Sequence, residues 1–174
     1  MSTYKRIEDL VVYQRLCQLH IEVCKLSHSW PSEEKFELGS QVRRSSNSSP
    51  AQLAEKYDDR HLKNKMEGVN RSRGEAGETI HHLFMAHLKG YETKETYERF
   101  RDRYQECIRM LNGIERKLEL YLPVRDRRWP EMVDKGLGFG VEADALREAA
   151  PEFGDCPVGY PEPESSGWNL NPEP

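Results

Sequence analysis

The sequence has no long apolar run. Among its 174 residues, 32% are charged, and no stretch approaches the roughly 18 apolar residues that a membrane-spanning helix requires. The N-terminus also lacks the basic-then-apolar layout of a secretion signal. We therefore expect a cytoplasmic protein that makes no use of a membrane.

The motifs of the common enzyme classes are also missing. The sequence contains no Gly-rich phosphate loop, no G-x-S-x-G and no Cys/His nucleophile arrangement. A carboxylate-bridged di-metal site in a helical bundle needs two Glu-x-x-His motifs, and only Glu78–His81 supplies one, because Asp58–His61 lies at a helix junction. We predict no enzymatic activity, no small-molecule substrate, no cofactor and no metal.

Cysteine is scarce, and none of the four cysteines forms a C-x-x-C pair. Cys17, Cys24 and Cys107 fall at apolar positions of helical segments, where an unpaired cysteine behaves as a small hydrophobic residue. Their spacing predicts reduced thiols in a core rather than a disulfide or a metal site.

Charge and the content of proline and glycine divide the chain in two parts. Residues 1–123 carry 21 Lys/Arg against 19 Asp/Glu, whereas residues 124–174 carry 5 against 11. From Pro123 onward the sequence holds 8 of its 10 prolines and 6 of its 12 glycines, without a helical or strand period. We predict a folded domain over residues 1–123 and a mostly disordered acidic tail over residues 124–174.

Apolar residues recur at helical spacing in four segments of the first part. The segments run from about Ile7 to Trp30, Glu33 to Tyr57, His61 to Lys89 and Thr93 to Tyr121. In the first segment, the expected core positions are Leu10, Tyr13, Cys17, His20 or Ile21, Cys24 and Leu26. Long helices joined by short turns pack as antiparallel neighbours, so the prediction is an all-α, up-and-down four-helix bundle.

Two details of this bundle are unusual. Ser45–Pro50 interrupts the second segment, which predicts either a kink near Ser46 or a loop between two short helices. Gly68, Gly74 and Gly77 weaken the third helix, which indicates that another backbone approaches closely there and, with apolar positions beside the main stripes, favours a homo-oligomer.

Basic residues concentrate around the second and third helices. Candidate phosphate contacts are Arg43, Arg44, Arg71, Arg60, Lys63 and Lys65. Arg73 lies on the apolar line of the third helix, where an unpaired charge would be prohibitive, so it needs a carboxylate such as Glu55, Glu75 or Glu78. We assign Arg73 and Glu78 to a structural ion pair.

Several runs in the predicted bundle occur together in one known family. They are residues 4–14 (YKRIEDLVVYQ), 41–45 (QVRRS), 50–55 (PAQLAE), 73–79 (RGEAGET) and 109–113 (RMLNG). In this order, they resemble the four-helix-bundle proteins encoded in intervening sequences of bacterial large-subunit ribosomal RNA genes. The resemblance covers about residues 4–121.

That resemblance implies an antiparallel four-helix bundle that assembles as a pentamer and has no enzymatic activity. The sequence departs from the family in its Ser-rich second helix and at Lys56–Tyr57, where Gly and an aromatic residue are typical. The predicted function is an oligomeric bundle that binds structured RNA or an RNA–protein complex. The alternative is a protein–protein assembly or adaptor module with no nucleic-acid role.

Overall fold

The computed structural model describes residues 6–127, and the predicted all-α fold is confirmed there, with four long helices and no strand in that range. The helices are α1 (Val11–Ser27), α2 (Leu38–Tyr57), α3 (Leu62–Leu88) and α4 (Lys94–Glu119). Short 3-10 turns cover Ile7–Asp9, Ser32–Lys35 and Val124–Asp126. The last of these turns lies within the segment predicted to be disordered, and the rest of that segment, residues 128–174, lies outside the described residues.

Side-chain contacts show that each helix runs antiparallel to its neighbours. His20 of α1 lies 2.9 Å from the Ser46 hydroxyl, whereas Ser27, further along α1, meets the earlier Arg43 of α2. The same inverse order relates α2 to α3 and α3 to α4. Glu22–Arg103 and Arg15–Glu106 then join α1 to α4 and close the bundle. No helix among residues 6–127 combines the length and apolar character needed to cross a membrane.

The core face of α1 differs from the predicted face. The buried apolar residues of this helix are Val12, Leu16, Leu19 and Val23, whereas Cys17 and Cys24 are only half-buried and Ile21 is 41% exposed. The predicted stripe was only partly right: Leu10, Tyr13 and Leu26 pack against the core from partly buried positions. Periodicity alone does not show which of two adjacent apolar stripes faces the other helices.

The serine-rich part of α2 lies within one continuous helix, Leu38–Tyr57, so the predicted loop between two short helices is wrong. Ser45, Ser46, Ser49 and Pro50 are all buried against the other helices. Their hydroxyls find partners: Ser49 donates to the carbonyl of Ser72 on α3 at 2.9 Å, and the Thr79 hydroxyl lies 2.9 Å from that of Ser45. Hydrogen bonding of the buried serine hydroxyls and packing against the other helices thus outweigh the low helix propensity of this segment.

Gly68 confirms the predicted close approach between helices, but within a single chain. A Cβ atom at Gly68 would lie 2.6 Å from the Cβ of Lys56 and 3.0 Å from the carbonyl oxygen of Gln52, both on α2. A Cβ atom at Gly74 or Gly77 would meet nothing within 4 Å. Only the first of the three glycines is therefore explained by packing within the bundle.

Two connections pack together at one end of the bundle. Trp30, which is 6% exposed, donates from Nε1 to Oε1 of Glu92 at 2.5 Å and packs beside the ring of Tyr91. Glu34 accepts from Lys89 Nζ at 2.5 Å and from the Tyr91 hydroxyl at 2.9 Å. We call this group of five residues the clasp.

Gly90 directs the chain into the clasp. Its φ of 76° lies in the left-handed region, and its amide donates to the carbonyl of His87 while that of Tyr91 donates to Ala86. This pair of bonds is a Schellman cap, which ends α3 and turns the Tyr91 ring toward Glu34.

The clasp shifts the acid–base properties of its members. Hydrogen bonds from Lys89 and Tyr91 hold the pKa of Glu34 below its ordinary value of 4.5, and the hydrogen bond to Glu34 raises the pKa of Lys89. Burial raises the pKa of Glu92, against the opposing hydrogen bond from Trp30.

We predict that Glu34→Gln lowers the free energy of unfolding at neutral pH, because it removes the charge that Lys89 faces. A depressed carboxyl pKa contributes stability above the unfolded pKa, and that contribution is lost as pH falls through the folded value. The difference between native protein and variant should therefore shrink as pH drops below about 4.5. Urea unfolding across pH measures it, with the exposed neighbour Glu33→Gln as control. An equal pH-independent loss in both variants would contradict the assignment.

Candidate nucleic-acid interface

Arg43 is held by the bundle itself. Its guanidinium donates to the hydroxyl of Ser27 at 3.1 Å and to the carbonyl of Lys35 at 2.7 Å. A Cβ atom at Gly39 would lie 3.0 Å from Arg43 Nη1, so the guanidinium occupies a tightly filled space. These bonds fasten α2 to the end of α1 and to the connection that follows it.

Arg44 is exposed on the same part of α2 and makes no ion pair within residues 6–127. Arg44 influences Glu75 of α3: burial raises the pKa of that carboxyl, Glu78 adds to the rise and Arg44 opposes it. Ser45 lies level with Thr79, 16 residues along α3 from Lys63. At 1.5 Å per residue, Arg44 is therefore about 24 Å along the bundle from Lys63.

The remaining predicted contacts lie at or near the α2–α3 connection. Arg60 and Lys63 are exposed, Lys65 is half-buried, and none of the three makes an ion pair with another described residue. Arg71 is one to two turns further along α3 and pairs with Glu67 at 2.6 Å. The six predicted residues therefore form no single patch, and three of them share one end of the bundle.

Asp59 lies in the α2–α3 connection near these cations, but its carboxylate is already bonded to other groups. Its carboxylate accepts from the amide of His61 at 2.7 Å and from Nδ2 of Asn64 at 2.9 Å, which lowers its pKa. The Asp59 carboxylate thus accepts a backbone hydrogen bond at the beginning of α3, where amide donors have no partner within the helix.

The end of α4 lies beside this connection. Asn70 of α3 contacts Glu115 of α4 at 3.1 Å, which brings the first turn of α3 level with the residues just after Glu119. Exposed there are the apolar side chains of Leu120 (54%), Tyr121 (80%) and Val124 (59%). Arg116 is also exposed and makes no ion pair among the described residues.

Arg127 fixes the segment that follows α4. Its guanidinium donates to the carbonyl of Leu120, the C-cap residue of α4, at 3.0 Å and to the carbonyl of Leu122 at 3.1 Å. The chain after Pro123 is thereby tied back to the end of α4.

The two ends of the bundle differ in charge. Residues 54–65 and 116–127, which we call the basic end, carry eight Lys/Arg and five Asp/Glu. At the opposite end, the connections and a helical turn on either side of each comprise residues 24–41 and 85–97. These residues carry four Lys/Arg and five Asp/Glu. Sequence reasoning missed Arg116 and Tyr121 as members of the basic end, because only the pairing of α3 with α4 brings the end of α4 level with the start of α3.

Arg73 is structural, but its predicted pairing with Glu78 is wrong. Its Nη1 lies 2.7 Å from Glu115 Oε2 and 2.7 Å from Asn112 Oδ1, both on α4. Residues five apart on a helix point in directions about 140° apart, so Glu78 cannot reach it, and Glu78 instead lies 3.3 Å from His82. The pair with Glu115 is nearly buried, since that carboxylate side chain is 4% exposed.

The other reactive side chains are placed for packing. Burial raises the pKa of Cys107 to about 11, and it also raises the pKa values of Cys17 and Cys24. All three are unpaired, and Cys107 lies in the core as predicted, whereas Cys17 and Cys24 are only half-buried. Within residues 6–127 no three His, Cys, Asp or Glu side chains come together in a group suited to a metal ion.

The different surroundings of Arg43 and Arg44 give a prediction. Arg43→Ala should lower the free energy of unfolding by about 1–3 kcal/mol, because it removes two hydrogen bonds from a charged donor. Arg44→Ala should change it by less than about 0.5 kcal/mol, as is usual for exposed positions. Chemical denaturation of the two variants measures both values. Equal stability of the two would contradict the anchoring role of Arg43.

No curated protein matches the sequence. The profile of the family described as 23S rRNA-intervening sequence protein matches residues 8–113, from the turn before α1 to the second half of α4. The resemblance seen in the sequence motifs is thereby confirmed. Because the match covers more than half of the chain, the chain belongs to the family of 23S rRNA-intervening sequence proteins.

Proposed function

We propose that this protein is a non-enzymatic homo-oligomer that binds structured RNA through the basic end of its bundle. The observation that carries the proposal is that four cations without an ion pair among the described residues, Arg60, Lys63, Lys65 and Arg116, share one end of the bundle with the exposed ring of Tyr121. The description of the family, which names 23S rRNA, supports RNA as the partner.

The chemistry of this surface suits RNA. Lys and Arg side chains that lack a carboxylate partner contact phosphates and release the counterions condensed there. An exposed aromatic ring beside them offers a stacking platform for an unpaired base in a loop or bulge. An excess of only three positive charges at one end is modest, and a symmetric assembly would multiply it through avidity.

The proposed interface predicts a salt dependence. The triple variant Arg60→Gln, Lys63→Gln and Arg116→Gln should weaken binding to a short RNA hairpin. It should also reduce the steepness of log K against log salt by about 2, since each lost phosphate contact removes about 0.7–0.9. Fluorescence anisotropy over a salt series measures both quantities.

A matched triple variant, Lys25→Gln, Lys35→Gln and Arg109→Gln, removes three exposed cations away from the basic end and should leave the slope unchanged. Tyr121→Ala should weaken binding by about 1–3 kcal/mol if the ring stacks on a base. Equal affinity of both triple variants and native protein at every salt concentration would contradict RNA binding here. The adaptor function, with a protein as partner, would then take its place.

The outer face of α3 supports the homo-oligomer. Gly74, Gly77, His81, Phe84 and Leu88 follow one another at spacings of three and four residues, so they share one stripe along the helix. Phe84 is 40% exposed and Leu88 is 61% exposed. Two exposed glycines within a helix cost about 1 kcal/mol each relative to alanine, and the bundle alone gives no compensating contact.

A second copy packed along this stripe would supply the missing contact, since glycines let helices approach closely. The arrangement of copies is the closed ring of a pentamer, as the family resemblance implies. A ring repeats one heterologous interface, so the same stripe serves every copy.

Gly77→Gln tests the interface without endangering the fold. The side chain has open space in the single bundle, so we expect the bundle to gain up to about 1 kcal/mol of stability while assembly weakens. Light scattering at micromolar concentration measures the mass of both proteins. Gly113→Gln on α4, also in open space but outside the stripe, is the control. If the native protein has the mass of one chain, the homo-oligomer is excluded.

A further inference from the structure

We propose that the acidic segment formed by residues 128–174 binds the basic end of its own bundle and competes there with RNA. Only the competition rests on the proposed function, because the intrachain contact follows from charge, position and exposed apolar surface. The segment carries ten Asp/Glu and three Lys/Arg, and the basic end carries eight Lys/Arg and five Asp/Glu.

The position of Arg127 favours this contact. Its two bonds to carbonyls at the end of α4 fix the point where the acidic segment leaves the bundle, directly at the basic end. The first acids of the segment are Glu131 and Asp134, four and seven residues beyond Arg127. An extended chain reaches at most about 3.5 Å per residue, so these carboxylates come within about 14–25 Å of the anchor.

That reach is sufficient for the free cations of the connection between α2 and α3. Neighbouring helices lie about 8–10 Å apart, and the first turn of α3, with Lys63 and Lys65, is level with the end of α4. A tether this short raises the effective concentration of the carboxylates at these lysines to about the millimolar range. Weak individual ion pairs then suffice for a populated contact.

Apolar surface adds to the complementarity. Leu120, Tyr121 and Val124 stand exposed at the same end of the bundle, and the segment contains five aromatic residues, Trp129, Phe139, Phe153, Tyr160 and Trp168. The opposite end of the bundle has no excess of positive charge, and a second basic end would repel this one. The acidic segment is therefore the part of the chain that fits this surface.

The contact would act as a competitor for RNA. Carboxylates of the segment occupy the same lysine and arginine side chains that phosphates would contact, so only the fraction of molecules with an open basic end binds RNA. If the segment covers that end nine-tenths of the time, the apparent affinity for RNA is reduced about tenfold. Salt weakens both contacts, since both rely on exposed charges.

Zero-length carbodiimide cross-linking of the full chain tests the contact without RNA. We expect Lys63 and Lys65 to form amide links to carboxyls of residues 131–164 at low salt and to lose them at high salt. Lys25 and Lys35, near the opposite end, are the internal controls. In an equal mixture of isotopically heavy and light protein, the links should join residues of one chain. Links that are absent, equally frequent at the control lysines, or mostly between heavy and light chains would overturn the proposal.

A second measurement tests the competition. The variant Glu131→Gln, Asp134→Asn, Glu142→Gln and Asp144→Asn should lose cross-links and bind the RNA hairpin about tenfold more tightly at low salt. Unchanged RNA affinity alongside lost cross-links would overturn the competition. If native protein forms the intrachain links and neither protein retains RNA, the contact stands and RNA binding by the basic end is excluded.

Discussion

The close approach of α2 to α3 is the constraint on which the rest of the bundle depends. α2 presents buried serines where larger apolar side chains would be usual, so burial of apolar surface stabilises its position only weakly. Hydrogen bonds from Ser49 to Ser72 and between Thr79 and Ser45 satisfy these groups, and the missing side chain of Gly68 makes room for α2. Helices this close need only a short connection, which brings Arg60 and Lys63 together at one end.

The two ends of the bundle use charge in different ways. At the clasp, the carboxylates accept hydrogen bonds from partners within the chain: Glu34 from Lys89 and Tyr91, and Glu92 from Trp30. At the basic end, the carboxylate of Asp59 accepts hydrogen bonds from residues at the start of α3 and forms no ion pair with the neighbouring cations. One end is thereby satisfied internally, and the other retains charge that an external anion can bind.

Much of the fold was predictable from the sequence, because four strongly periodic segments with proline and glycine at their ends define helices and their order. The α1 face and the continuity of α2 were not, since both depend on which neighbours pack against them rather than on local propensity. The candidate site was less predictable. Arg43 and Arg44 are adjacent in sequence yet one is anchored and the other exposed, and Glu115, the partner of Arg73, lies 42 residues away. Pairings over such distances leave no local signal.

The closure of α1 against α4 has a consequence for folding kinetics. The other helix pairs are neighbours in sequence, whereas Arg15–Glu106 and Glu22–Arg103 join residues 91 and 81 apart. Loop-closure entropy makes such contacts late, and local contacts between consecutive helices form fast. Both ion pairs are partly exposed and open to screening by salt. We expect the contact between α1 and α4 to form last and to open first, while the contacts between consecutive helices stay protected from amide exchange.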